Sequence, residues 1–342
     1  MLTLRLTSSP EDLARAAEIL RSGGLVAFPT ETVYGLGANA LNPAAVARIF
    51  AAKQRPDWDP VIVHIADVLT LPQITTEVPP AAQALINRFW PGPLTLLLPC
   101  SSAIPSSVTA GRPLVGVRTP AHPVAFELIR LTGVPIAAPS ANRFGHTSPT
   151  TAEHVLADLD GRIDAIIDAG PTLHGVESTV LDPTQNPIVI YRPGAVTLEQ
   201  IRSTAGPTTL YEPAPKSKRP ESLPSPGVGI RHYAPRARVI LIEAPDAELS
   251  AAFADAADHH AQQQIGILLP REFVQAAPPH AILFDWGSWS VPEELAAHLY
   301  AGLRELDAAG CDLIFCPLPA ADGIGAALRD RLRKAAWKNE KD

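Results

Sequence analysis

Between residues 205 and 236 the chain carries seven prolines and no amphipathic period. Neither a helix nor a central strand tolerates that composition, so the stretch reads as a linker between two folded parts, 1–204 and 237–342. With 342 residues, 46% hydrophobic and 18% charged, each part has enough apolar material for a core of its own, and disorder over most of the length is excluded. Residues 1–204 hold 14 basic and 17 acidic side chains, 205–236 hold 5 and 2, and 237–342 hold 9 and 16. The linker is therefore the basic element of a chain whose net charge is −7. The molecule as a whole offers no basic face to a nucleic-acid backbone, and any RNA contact must be local.

Three cysteines, Cys100, Cys311 and Cys316, are too few for a disulfide framework and suit a reducing compartment. The N-terminus lacks the marks of a signal peptide, and no apolar run reaches the length of a membrane span. The expectation is a soluble, cytoplasmic protein.

Short apolar runs alternate with helical segments. Ser9-Pro10-Glu11-Asp12 opens a helix with a capping box, Leu13, Ala16, Ala17 and Leu20 share its inner face, and Gly23-Gly24 ends it. The strand LVAF follows. Asn42-Pro43 starts a second helix that delivers Lys53 and Arg55 at its far end. Further strands are predicted at 94–99, 114–118, 134–138, 164–168, 178–182 and 187–191. Some follow one another through Pro or Gly turns, which predicts an α/β domain with a twisted, mixed sheet. From Arg238 onward strands and helices alternate simply, with an Ala-rich helix over 245–262, predicting a small Rossmann-like parallel-sheet domain.

Gly35-Leu36-Gly37-Ala38-Asn39-Ala40 imitates a dinucleotide fingerprint, but PTETVY intervenes between it and the strand, where a true fingerprint follows almost at once. The P-loop, H-E-x-x-H and paired C-x-x-C patterns are absent, which argues against a P-loop or a structural zinc. In PTETVYG, Thr30, Glu31, Thr32 and Tyr34 place hydroxyls and one carboxylate where a buried strand ends, the usual ligand position in α/β proteins. Turn chemistry alone would look the same. Lys53 and Arg55 at i and i+2 would project together from an extended exit and suit a polyphosphate, or they simply complement the helix dipole. Ser140 and Asn142 repeat the i, i+2 device after a strand, as a ligand pair or as an ordinary turn cap. His64, in VIVHI, is either a core histidine or a ligand. His232 and Tyr233, in HYAP, sit in the linker without a core to belong to.

Taken in order, GGLVAFPTETVYGLGANA, AAKQRP, VIVHIAD, WPGPLTLLL, VRTPAHP, APSANRFGHTSPT, GVESTVLD and YRPGA resemble the YrdC-like family, and the linker with the C-terminal part resembles its long two-domain form. That resemblance implies a YrdC-like synthase domain over 1–204, an active-site lid over 205–236 and a Rossmann-like domain over 237–342. It implies an enzyme, a nucleotidyltransferase, that makes threonylcarbamoyl-adenylate and pyrophosphate from L-threonine, bicarbonate and ATP for the N6-threonylcarbamoyladenosine of tRNA. Magnesium accompanies the ATP. The downstream partner is the tRNA threonylcarbamoyl-transfer machinery, with at most a weak contact to tRNA itself and none to a membrane.

Residue by residue, the resemblance places Lys53, Arg55, Ser140 and Asn142 at the catalytic centre. Arg55, Asp59, Val115, Ser140, Ser148, Arg192 and His232 or Tyr233 are expected at the nucleotide. Thr32, His64, Arg118, Ala138 and Ser178 are expected at threonine, with Arg118 on its carboxylate. Asp59 stands where an amide is the expected residue, and a carboxylate there can serve through magnesium. Two rivals remain: a carbamoyl-adenylate-forming maturation enzyme, whose usual zinc modules three cysteines cannot build, and a non-catalytic RNA-binding module.

Overall fold

The computed structural model describes residues 2–212, 225, 233–260, 262–278 and 280–336. Its strands in chain order are β1 (Leu4–Leu6), β2 (Val26–Phe28), β3 (Gly35–Asn39), β4 (Ile62–His64), β5 (Leu94–Pro99), β6 (Leu114–Arg118), β7 (Ile136–Ala137), β8 (Ala165–Ile167), β9 (Thr179–Asp182), β10 (Ile188–Arg192), β11 (Thr208–Leu210), β12 (Arg238–Ile242), β13 (Ile265–Pro270), β14 (Ile282–Gly287) and β15 (Leu313–Pro317). The first eleven form one sheet in the order β1-β8-β2-β3-β7-β4-β6-β5-β9-β10-β11, and the last four form another, β12-β15-β13-β14. The large sheet is mixed: β3 runs against β2 and β7, while β4 runs with β6. The small one is parallel throughout.

Side chains of β2 alternate between two cores. Ala27 faces one, and Val26 with Phe28 face the other, because successive residues of a strand point to opposite faces. Helices Pro10–Arg21 and Pro123–Thr132 cover the second face with Leu13, Leu20, Leu128 and Ile129. Helices Pro43–Lys53 and Pro80–Phe89 cover the first with Val46, Ile49, Leu85 and Ile86. Each fully buried Leu or Ile contributes about 1.5–3 kcal/mol, so the sheet is held from both sides.

The N-terminal cap differs from the predicted box in one bond. Ser9 Oγ accepts from Asp12 N, but the Asp12 carboxylate accepts from Thr7 N at 2.8 Å and Thr7 Oγ1 at 2.6 Å instead of from Ser9 N. Thr7 offers that carboxylate two donors at once. Residues 208–210, read as linker, add the edge strand β11 alongside β10. Their Thr-Thr-Leu is a strand sequence, and Pro207 stands just before the edge, where its missing N–H costs nothing.

Two compact units divide the chain: Met1–Phe144, Pro149–Leu173 and Glu177–Gly229 form the first, and Gly145–Ser148, His174–Val176 and Ile230–Asp342 the second. In the second, helix Leu249–His259, shorter than the predicted 245–262 and preceded by a 3₁₀ turn Asp246–Glu248, lays Leu249, Phe253 and Ala257 on Ile265, Ile267 and Phe315. Helix Pro292–Ala308 needs Gly302, where a Cβ would lie 2.3 Å from the Leu268 side chain. The Gly145–Ser148 loop is tied in by hydrogen bonds: Ala234 N donates to Gly145 O at 3.0 Å, and Arg304 donates to Thr147 O and, at 3.4 Å, to Ser148 O. Among the described residues no helix is long and apolar enough to cross a membrane.

Candidate active site

The turn after β2 is closed by its own hydroxyls. Thr30 Oγ1 donates to Val33 O at 2.7 Å and lies 2.7 Å from Thr32 Oγ1. Arg118 Nη1 donates to Thr32 Oγ1 at 3.0 Å. An arginine has no acceptor and Thr30 has already given its proton away, so the Thr32 hydroxyl must donate to Thr30. Arg118 ends β6, opposite His64 at the end of β4. Its Nε donates to Gly92 O at 3.2 Å, and its Nη2 lies 2.6 Å from Glu31 Oε1. Ala138, just past β7, donates its N–H to Ile62 O at 2.8 Å. Thr32, His64, Arg118 and Ala138 thus sit at neighbouring positions of the strand order β2-β3-β7-β4-β6.

Arg118, Glu31, His64 and Thr32 are all buried. Burial, then the nearby Arg118, drives the His64 imidazole down to about 3, so the ring is neutral throughout the physiological range. Burial alone would raise the Glu31 carboxyl, but Arg118 together with the backbone N–H groups of Glu31 and Ala121 more than offsets it, and the group stays below its ordinary value. His64 Nδ1 and the neighbouring Thr119 Oγ1 are buried without a hydrogen-bond partner. Buried orphans of this kind are uncommon in folded proteins.

A second cluster is built on the helix Pro43–Lys53. Gln54 takes a left-handed conformation, φ 54°, to cap that helix, so the exit is not extended as the sequence reading assumed, and Lys53 and Arg55 do not project in parallel. Lys53 Nζ, fully buried, donates to Ser140 O at 2.6 Å and to Asn142 O. Burial and the adjacent Arg55 push its ammonium well below the ordinary lysine value. Arg55 Nε donates to Asp59 O at 3.0 Å, its Nη2 to Pro60 O at 2.6 Å, and it pairs with the Asp59 carboxylate at 3.0 Å. Burial raises the Asp59 carboxyl against the pull of Arg55, Lys53 and Arg192. Arg192 in turn donates to Ser178 O at 3.0 Å and Ser178 Oγ at 3.1 Å, while Ser178 Oγ lies 2.8 Å from Thr95 Oγ1.

The two clusters share a frame. Ser140 bridges to Gly35, Ala141 N donates to Tyr34 O, and Leu36 N donates to Pro139 O. The PTETVYG turn is thereby laced to the Pro139–Asn142 turn. Val115 puts its side chain into the core and can present only main-chain atoms. Ser148 and Tyr233 belong to the second unit. Tyr233, at φ 64°, is buried, stacks on Tyr300 with centroids 5.7 Å apart and lies under the Arg331 guanidinium at 5.1 Å. His232 falls outside the described residues.

Sequence reasoning left out two participants and the partner of a third. Glu31 was named as the carboxylate of the PTETVYG turn, flanked by threonines directly after a buried strand, but its pairing with Arg118 was not foreseen. Thr95, in the apolar run LTLLLP, gave only a weak signal, a lone hydroxyl among leucines. Arg304, in an amphipathic helix far along the chain, gave none. No group of three His, Cys, Asp or Glu among the described residues is arranged to hold a metal ion. Asp59 is already committed to Arg55, so no protein-held magnesium is assigned.

Known proteins match the chain over nearly its whole length. The family model Sua5_yciO_yrdC, described as "Telomere recombination", matches residues 18–194, and that of the "Threonylcarbamoyl-AMP synthase, C-terminal domain" matches 196–337. A threonylcarbamoyl-AMP synthase of Pyrococcus abyssi is 44% identical over 328 residues, 94% of this chain and 93% of its own length. One of Bacillus subtilis is 43% identical over 336 residues, 98% and 96% of the two chains. The solved structure of the P. abyssi Sua5 protein complexed with L-threonine matches with a TM-score of 0.91 at 42% identity, over 98% of each chain. With both family models in sequence and relatives matched end to end, the chain belongs to the Sua5/YrdC family in its long form.

Proposed function

We propose that the chain is an L-threonylcarbamoyladenylate synthase, converting L-threonine, bicarbonate and ATP into threonylcarbamoyl-AMP and pyrophosphate in the cytoplasm, for transfer to tRNA by a downstream enzyme. The observation that carries this reading is the pair of buried, laced clusters: a carboxylate anchor around Arg118 beside a row of cations, Lys53, Arg55 and Arg192. One suits an amino acid and the other a polyphosphate. Bicarbonate takes up a proton and loses water to give carbon dioxide, and the neutral threonine amine adds to that carbon and releases a proton, so no net proton is consumed. A carbamate oxygen then attacks the α-phosphorus, and the bond to the β-phosphate breaks. This needs two substrates held end to end and charge stabilised on the departing pyrophosphate, with no protein nucleophile.

In this reading Arg118 holds the threonine carboxylate, Thr32, the neutral His64, Ala138 and Ser178 line the amino acid, and Arg55, Asp59, Val115, Ser140, Ser148 and Arg192 serve the nucleotide. Lys53 and Asn142 complete the catalytic set. Lys53 ties the Ser140 and Asn142 carbonyls to its helix end. Magnesium enters with ATP as its counter-charge. The boundaries 1–204, 205–236 and 237–342, with the middle stretch as a lid, belong to the same proposal; residues 213–224 and 226–232 of that stretch lie outside the described residues. The test is pyrophosphate release with each substrate omitted in turn. Release should require both threonine and bicarbonate. Equal release without threonine would overturn the reading, and stimulation by carbamoyl phosphate would replace it with the maturation-enzyme rival.

A further inference from the structure

Glu31 is absent from the positions that the family resemblance assigns to substrates, yet it is buried and its carboxylate lies 2.6 Å from the Arg118 guanidinium. The other two guanidinium nitrogens are engaged by neutral oxygens of Gly92 and Thr32. Burial holds His64 and His122 below the ordinary histidine value, so neither shares the charge of the pair at neutral pH. A buried guanidinium without a counter-ion is strongly destabilising, and Glu31 supplies that counter-ion within the fold. A substrate carboxylate that docks on Arg118 therefore brings a second negative charge to one cation.

We propose that Glu31 is a positioning residue: an internal counter-ion with which the threonine carboxylate competes for Arg118, aiming the guanidinium while limiting how tightly threonine is held. The proposal rests on the reading of Arg118 as the carboxylate anchor. Catalysis gains nothing from ground-state affinity that the transition state does not share. A carboxylate that shares its cation is held loosely enough to keep the amino group and the nascent carbamate free to reach the nucleotide. Without Glu31, threonine becomes the sole counter-ion. It should bind more tightly, while the unanchored guanidinium orients it worse.

The experiment is calorimetric titration of the full-length protein with L-threonine, together with rates of pyrophosphate release at saturating ATP and bicarbonate. Glu31→Gln should lower the threonine Kd by roughly tenfold and lower kcat by at least about tenfold, the joint fall that marks lost ground-state discrimination. Glu31→Asp keeps the charge but withdraws it by one methylene. It should shift both constants the same way by less, and it preserves the test if the Gln variant does not fold. L-threoninamide, which has no carboxylate, should gain no affinity in either variant. An unchanged or raised threonine Kd in the folded variants would overturn the proposal, as would an equal gain for threoninamide. Arg118→Lys separates the two levels: if it leaves threonine binding unaltered, the anchor assignment itself has failed.

Discussion

The two units solve the same packing problem with different tolerance for charge. In the first, the sheet interior buries Lys53, Arg55, Arg118 and Arg192 together with Glu31, Asp59 and His64; in the second, Arg331 is the one buried charged side chain among the described residues. The second sheet is four parallel strands packed on one side by Leu249, Phe253 and Ala257. Charge is expensive to remove from water, so a fold that removes this much of it in one place has a use for it there. The proposed site thus lies in the unit that buries its charges together.

The sharpest way to break the comparison is Arg118→Ala, which strands the Glu31 carboxylate in the interior. Removing one partner of a buried pair costs about 3–5 kcal/mol, and threonine-dependent pyrophosphate release should fall by at least about a hundredfold. Urea unfolding with and without ATP measures the first part, and a loss below about 1 kcal/mol would show that the pair is not a strained necessity of the fold. Phe253→Ala in the second unit should cost a similar 3–5 kcal/mol by leaving a cavity. Yet the folded variant should keep its Michaelis constants for both substrates within about twofold, because the truncated ring belongs to the apolar core of the second unit, with Ile265, Ile267 and Phe315. A large change in either constant would erase the functional contrast between the units.

Arg55→Ala should weaken nucleotide binding by about ten- to a hundredfold, the equivalent of roughly 1.5–3 kcal/mol for a charge-assisted contact, while threonine affinity moves far less. Unaltered ATP binding would reduce Arg55 to a structural partner of Asp59. The last expectation concerns pH and is read as a slope. His64 has a folded value of about 3 against 6.5 for the free side chain. Below 6.5 the unfolded chain takes up a proton that the folded one refuses, so stability is lost as pH falls through that window, at up to about 1.4 kcal/mol per unit. His64→Gln cannot protonate, and its stability profile between pH 6.5 and 4 should be flatter than that of the parent. Parallel profiles would place the acid sensitivity elsewhere.

How far the sequence carried depends on the range of the interactions. Helix Pro10–Arg21, the strand runs and the alternation after Arg238 were legible because caps and periodicity are local. Lys53 and Arg55 were legible as a pair, but their partners were not. The Ser140 and Asn142 carbonyls that Lys53 reaches lie 87 and 89 residues away, and the left-handed Gln54 between the two cations has no glycine to announce it. Glu31 was legible as a turn carboxylate but its pairing was hidden for the same reason, since Arg118 reaches it from β6, far along the chain. The antiparallel insertion of β7 between β3 and β4 likewise follows from no single segment.

The loops Gly145–Ser148 and His174–Val176, counted with the second unit although they interrupt the first in sequence, bear on how the molecule is born. Thr147 and the arginine that grips its carbonyl, Arg304, are 157 residues apart. On a ribosome adding about 5–20 residues per second, the loop leaves the exit tunnel and waits roughly 8–30 s for its clasp. During that interval β8, β9, β10 and β11 of the first sheet are synthesised, while the Gly145–Ser148 loop has no guanidinium for its Thr147 and Ser148 carbonyls to accept from.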